Sequence, residues 1–383
     1  MNSSVQVWVR NVIRLTNKEF RSLLGDGPMM ALILFSFSFA IYITAIGIKA
    51  DVENAPVAVL DHDQSALSRQ IRDAIQPPYF QAPVDIKQDA VDQALDKGDY
   101  IFVLDIPEGL EADVKAGRAP NVQILVDATA MTQAGLGAMD LSLIVLQETL
   151  QSLGVQGIEA QLPIRPIPRV LFNPNNQSRW FSGVMQIITN ITALTIILVG
   201  AAVIREREHG TIEHLLVMPV RPSEIAIGKI LANGSVILVS VVLSLWFVVH
   251  LVLAVPIPSP IPRTLLLFTV GTMLYLFALA SLGILMATVT RSMPQFALLS
   301  APVYVVLYLL SGASTPVESM PSYMQHIVQF SPTTQFVTLT QAVIYRGAGF
   351  DVVWPPLLAE IAFGALFLSV ALARFRDMLA RQG

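Results

Sequence analysis

Long uncharged runs alternate with short charged segments along this chain, and one extended polar stretch interrupts them near the start. Gly27 to Ile48 holds no charged residue. About 20 apolar residues cross a hydrocarbon core of about 30 Å, so residues 28–48 are predicted as a first transmembrane helix. Comparable runs at 181–204, 230–255, 265–289, 294–311 and 353–373 predict five more. The fifth of these six spans is short, and Pro294 opens it at a helix start, where proline is tolerated. Ahead of the first span, residues 1–27 carry Arg10, Arg14, Lys18 and Arg21 among apolar positions at helical spacing. That pattern predicts an amphipathic helix at the membrane surface.

The polar island, residues 49–180, has a different rhythm. Ala55 to Leu60 reads as a strand and Ser65 to Ile75 as a helix; Ala90 to Asp96 is helical and Tyr100 to Leu104 a strand. Glu108 to Lys115 is again helical, Val122 to Val126 a strand, and 131–153 a longer helix with apolar positions throughout. This alternation predicts a small mixed α/β domain. A proline-rich run, Leu162 to Arg169, leads back toward the next apolar stretch.

Orientation follows from Lys and Arg in the short flanking segments. With the N-terminus inside, the inside segments are 1–27, 205–229, the turn at Arg291, and the tail 374–383; together they hold twelve basic residues. The short outside segments, 256–264 and 312–352, hold only Arg263 and Arg346. Both termini are therefore expected inside and 49–180 outside. The fold expected is a multi-span α-helical membrane protein of six transmembrane helices with an inserted extracytoplasmic mixed α/β domain. Residues 181–373 carry five of the spans, with an inside loop at 205–229 and an external re-entrant segment at 312–352.

Composition agrees with this and narrows the function. Hydrophobic residues make up 54% and charged residues 14%, against about 25% charged in a soluble domain. Of the 28 acidic residues, 18 lie between Asp51 and Glu159, and no basic footprint for nucleic acid is present. There are no cysteines, which removes disulfide and thiolate chemistry. The first apolar stretch begins too far in for a typical cleaved signal peptide and reads as an uncleaved signal-anchor.

Catalytic motifs are lacking. A phosphate-cradling loop needs an upstream glycine and a Ser or Thr after its lysine, whereas Gly228-Lys229 has neither and is followed by Ile230. The histidines, His62, His209, His214, His250 and His326, are scattered and fit no hydrolase or metal motif. Asp61-His62-Asp63 reads as a solvated turn after a strand. The chain is expected to be no enzyme and to bind no cofactor or metal itself.

Two sets of residues stand out. In the inside loop, Arg205 to Lys229, a charged stretch follows a long span, then an apolar turn at Leu215 to Met218, a proline break and a new helix start at Ser223. A short amphipathic element held between two spans can press on a cytoplasmic partner and move both. Within the spans, Gln186, Thr189 and Asn190 share one helix face and Asn233 sits early in the third span. These neutral groups serve helix packing or line a path. Glu360 is the ionisable residue inside the last span, and a carboxylate near a helix centre costs about 2.5–3.5 kcal/mol on insertion scales. Pro355-Pro356 just before it implies a helix start there, which places Glu360 at the outer interface.

The loop resembles that of type 2 ABC exporter permeases, the membrane subunits of ATP-binding-cassette exporters. The matching positions are Glu206, Glu208, Gly210, Thr211, Glu213, Leu216, Pro219, Glu224, Gly228 and Lys229. Further likeness lies in Ser311 to Pro321 with Ser331 to Thr334, and in the Asn11 to Phe20 helix. Val57 to Asp61, Gly98-Asp99-Tyr100, Ile106-Pro107 and Val126-Asp127 are similar to the branch with a large external domain after the first span. The resemblance implies a coupling role for the loop and a bacterial cytoplasmic (inner) membrane location. It further implies a second permease copy or paralogue, a separate cytoplasmic ATPase that holds ATP and magnesium, and often a periplasmic adaptor. The rival reading is a membrane-anchored receptor or scaffold whose outer domain binds a partner without transport.

Overall fold

The computed structural model describes residues 2–47, 54–127, 131–154, 172, 177–208 and 220–380. The chain divides into two compact units, Met1–Gly47 with Arg179–Gly383, and Ile48–Ser178. The first opens with α1 (Asn2–Gly25). Asp26 then caps α2 (Gly27–Ser36), its carboxylate accepting from Met29 N at 3.2 Å, with Pro28 in the first turn. A turn at Phe37-Ser38 separates α2 from α3 (Phe39–Gly47).

Among the described residues, the second unit is a four-stranded mixed sheet with helices on both faces. Its strands are β1 (Val57–Asp61), β2 (Val84–Asp85), β3 (Phe102–Ile106) and β4 (Gln123–Val126), in the order β2-β1-β3-β4. β1 runs parallel to β2 and β3, while β3 and β4 are antiparallel. Side chains alternate across a strand. Val57, Val59, Phe102, Leu104 and Ile106 therefore bury against α4 (Ala66–Ala74), α6 (Leu110–Lys115) and α7 (Met131–Ser152). Ala58, Leu60 and Val103 bury on the opposite face with Val91 of α5 (Val91–Lys97). Covering both faces is what makes these strands read as continuous apolar runs. Gly137 lets α7 lie directly on the ring of Phe102, where a Cβ would collide.

Acidic side chains cap this unit's helices. Asp63 accepts from Gly109 N (2.9 Å) and Glu111 N (3.1 Å), and Glu111 in turn accepts from Ala66 N (3.0 Å) at the start of α4. Asp61 accepts from Gln64 N at 2.9 Å. The Asp61-His62-Asp63 turn is thus a helix-capping device.

The remaining helices complete the first unit: α8 (Ser178–Glu208), α9 (Pro222–Ser244) with a π-helical continuation (Leu245–Val252), α10 (Ile261–Val289), α11 (Met293–Leu309), α12 (Ser322–Val328), α13 (Pro332–Thr340) with a π turn (Gln341–Tyr345), and α14 (Phe350–Ala380). Among the described residues, five segments are long and apolar enough to cross a membrane: Gly27–Gly47, Ser178–Glu208, Pro222–Val252, Ile261–Val289 and Phe350–Arg374. The fifth predicted run forms α11, whose 17 residues fall short of that length. The apolar stretch of α8 is 78% buried inside the unit, more than any of the other four, so α8 is the central helix.

The start of α14 departs from expectation. α14 begins at Phe350, five residues before the proline pair, and runs through both prolines. The carbonyls left without helical donors, those of Asp351 and Val352, lie in the exposed first turn, where such a loss is tolerated. Glu360 therefore lies well inside the helix and is fully buried. Within residues 312–352, read from the sequence as an external re-entrant segment, α13 is packed in the helical core, with Phe336 stacked on Tyr275 at 4.3 Å between ring centroids.

Candidate coupling site at the helix ends

α1 buries one stripe, Trp8, Asn11, Val12, Leu15, Thr16, Glu19 and Leu23, at the 3.6-residue period. It meets the first turns of α9. Gly228 marks the closest approach, since a Cβ there would stand 2.9 Å from Leu15 Cβ and 3.4 Å from the Thr16 backbone nitrogen. Polar contacts run along the crossing. Trp8 Nε1 donates to Ser223 Oγ at 3.4 Å, and Asn11 Nδ2 donates to Glu224 Oε2 at 3.2 Å. Glu224 is itself buried and reaches back to accept from Arg221 N at 3.0 Å, which closes the start of α9.

One turn further on, Lys229 is 2% exposed. Its ammonium group sits 3.1 Å from Glu19 Oε1 and 2.9 Å from Glu206 Oε2, and donates to the Ala202 carbonyl at 3.2 Å. Lys18 adds a second cation 3.3 Å from Glu206 Oε1. Three donors on Lys229 meet three acceptors, so its desolvation is offset by contacts from both α1 and α8.

The C-terminal end of α8 supplies four consecutive charged residues, and each fastens a different neighbour. Arg205 pairs with Asp26 at 3.4 Å, at the start of α2. Glu206 meets Lys229 of α9 and Lys18 of α1. Arg207 donates to the carbonyls of Ala287 (3.0 Å) and Thr290, closing the end of α10. Glu208 accepts from Met293 N at 2.9 Å, the first backbone donor of α11. The C-terminal end of α8 thus contacts α1, α2, α9, α10 and α11.

Of the residues read from the loop pattern, Glu206, Glu224, Gly228 and Lys229 thus come together around α1, and Glu208 lies at the α11 junction. Gly210, Thr211, Glu213, Leu216 and Pro219 lie outside the described residues. Lys18, Glu19, Asn11 and Asp26 belong to the site, although sequence reasoning did not assign them to it. Glu19 carried a signal, being the single acidic residue before Asp26 in a helix of basic ones.

The polar residues of the spans are placed elsewhere. Gln186 donates to Asn190 at 2.9 Å, and Asn190 donates to the carbonyl of Ser36 at 2.5 Å, at the end of α2. Thr189 and Asn233 return to carbonyls of their own helices, Met185 and Lys229, at 3.0 Å each. Of these contacts, that of Asn190 with Ser36 joins two helices and the others stay within one helix. Glu360 stands apart: both carboxyl oxygens are buried and neither has a hydrogen-bond partner among the described residues. Sequence reasoning missed a second buried chain, in which Thr192 of α8 bonds Tyr275 Oη at 2.6 Å and Tyr275 bonds Thr333 Oγ1 of α13 at 3.0 Å.

The model of the ABC-2 family transporter protein matches residues 29–373. The chain belongs to the ABC-2 transporter family. Relatives agree along its length. The inner membrane transport permease YhhJ of Escherichia coli (strain K12) is 47% identical over 371 residues, covering 97% of this chain and 98% of the relative. The probable multidrug ABC transporter permease YbhR of the same organism is 26% identical over 369 residues, covering 94% and 97%. ABC transporter G family member 20 of Dictyostelium discoideum is 24% identical over 248 residues, 62% of this chain and 33% of that protein. As an ABC-2 permease, the chain is the membrane subunit of an ABC transporter, and its helical unit is the part that meets lipid.

Proposed function

We propose that this ABC-2 permease moves its substrate outward across a bacterial inner membrane, driven by a separate cytoplasmic ATPase that docks at the loop joining α8 and α9. ATP and magnesium are held by that partner. Six spans cross the membrane, α11 among them, its shortness met by local thinning of the bilayer. Both termini and residues 205–229 then face the cytoplasm, as the Lys/Arg asymmetry supports. Residues 49–180 face outward, where they gate release or receive an adaptor, and a second permease copy or paralogue completes the path. The inner membrane location draws on YhhJ, which is named for it.

The observation that carries the reading is the charged run Arg205 to Glu208, which fastens α8 to five neighbouring helices directly beside the loop. A push on that loop reaches the central helix and its neighbours together. Family membership favours transport over the receptor or scaffold reading.

The test is substitution of Glu208 or Glu213 by Ala in the complex with its ATPase, with uptake of a fluorescent amphipathic dye into inverted vesicles as the readout. Hydrolysis should continue while ATP-driven uptake falls, with the variant still inserted and still bound to the ATPase. Normal uptake by such an assembled variant refutes the coupling assignment.

A further inference from the structure

The coupling site engages Glu224 and Lys229 and leaves Glu360 without a role. Its carboxyl is fully buried, about three turns into α14. α14 packs against α10, α13, the π turn Gln341–Tyr345 and α9. One turn beyond Glu360, Gly364 lies against the ring of Phe277, where a Cβ would collide, so α10 and α14 are in direct contact there.

The Glu360 carboxyl acts electrostatically on the hydroxyl of Tyr275. That hydroxyl has one proton, and it is placed within the chain Thr192–Tyr275–Thr333, at 2.6 and 3.0 Å. None remains for Glu360. The charged and titratable groups on the elements packed against α14 are committed elsewhere. Arg263 donates to the Gly347 carbonyl, Tyr345 to that of Trp180, and Glu224 and Lys229 hold α1. Two more buried oxygens lack partners among the described residues: the hydroxyls of Thr195, one turn from Thr192, and of Thr340, one turn from Phe336.

An ionisable group inside a span is costly and marks function when no structural partner accounts for it. A neutral ligand leaves the Glu360 carboxyl as it is, and an anion is repelled by it. A positive group supplies the missing counter-charge. The surroundings are apolar and aromatic, with Tyr275 and Phe336 stacked and Phe277 and Leu357 beside them. Aromatic rings favour a cation whose own body is apolar.

We propose that Glu360 is a substrate-binding residue, pairing with the positive group of a lipophilic cation that the permease carries. The substrate role rests on the outward-transport reading above, because the carboxyl is enclosed and α10, α13 and α14 must part for a ligand to enter.

Tetraphenylphosphonium and tetraphenylborate share size and shape and differ in the sign of their charge. Binding of each is measured separately to the full-length permease in nanodiscs of neutral lipid, against empty discs. The wild type should bind the phosphonium in preference to the borate. Glu360→Gln should lose about ten-fold or more in affinity for the phosphonium and narrow that preference, and Glu360→Asp should keep it. Equal phosphonium binding by the wild type and Glu360→Gln, or no preference in the wild type, overturns the inference. A fall in the unfolding midpoint of Glu360→Gln as large as that of Lys229→Met overturns it too, since the carboxyl then has a protein partner. ATP-driven uptake into inverted vesicles, in the complex with the ATPase, separates the two readings. If the amphipathic dye is taken up but the phosphonium is not bound, the inference falls and outward transport stands. If the phosphonium is bound through Glu360 but neither compound is taken up, outward transport falls and the substrate role falls with it.

Discussion

Among the described residues of the helical unit, Glu224, Lys229 and Glu360 are the buried charged side chains, and the surroundings of the last two are opposite. Lys229 is enclosed by Glu19, Glu206 and the Ala202 carbonyl. Glu360 is equally buried, yet neither of its oxygens meets a donor among the described residues. The difference separates what each can do. A buried ion held by partners from two other elements fixes the position of those elements, because moving any one of them strands a charge. A buried carboxyl with no partner holds nothing in place. Lys229 therefore belongs to the structure's mechanical linkage.

The largest effect follows from breaking the linked charge. Lys229→Met takes the buried cation from between Glu19 and Glu206 and leaves the exposed Lys18 beside both, and removing one partner of a buried pair costs about 3–5 kcal/mol. The loss should appear as a lowered unfolding midpoint in detergent. A variant as stable as the wild type would erase the distinction between the two sites.

Next is the helix crossing that brings Glu19 to Lys229. Gly228→Val places a branched side chain where even a bare Cβ would stand 2.9 Å from Leu15 Cβ, and overpacking of this kind costs about 1–3 kcal/mol. Faster amide exchange over residues 2–25 should report the loosening of α1. Unchanged exchange would mean that the crossing is not what seats the charge pair.

Glu360→Gln supplies the counterpart. It removes no hydrogen bond or ion pair made by the described residues, so the midpoint should shift by less than about 1 kcal/mol. A shift as large as that of Lys229→Met would show that Glu360 also has a partner, in a second copy of the chain or elsewhere.

An exposed pair in the α/β unit marks the small end of the scale. The Lys115 ammonium, with the backbone N–H groups of Leu67 and Ala66, holds the Glu111 carboxyl below its usual range. Because the folded value is depressed, this stabilisation is complete above the ordinary carboxylate range and is lost as pH falls through the folded value. Protection of the Ala66 and Leu67 amides should decline on acidification in that window, more than protection of interior β3 amides. The same decline in both would remove Glu111 as the cause.

What could be read from sequence divides along physical lines. The elements of the α/β unit were legible wherever an apolar run or a helical period lasted four residues or more, as in Val57–Asp61, Phe102–Ile106 and Met131–Ser152. Val84–Asp85 was not, because a two-residue exposed strand has no period. The proline pair misled about α14, since proline marks a helix start only where no favourable first turn precedes it. In the site, Glu206, Glu224, Gly228 and Lys229 stood out by pattern, but their partners on α1 did not. A charged residue on an amphipathic helix reads as solvent-facing, and Glu19 lies 210 positions from Lys229, a pairing that no local rule connects.

The central claim is that the charged junction carries motion from the loop at 205–229 into the central helix. It is tested most directly by amide exchange over α8, residues 178–208, in the complex with its ATPase, compared with and without a trapped nucleotide. The account predicts a nucleotide-dependent change in α8 protection in the wild type that disappears in Glu206→Gln while the ATPase remains bound. The same nucleotide response in the variant as in the wild type would contradict it.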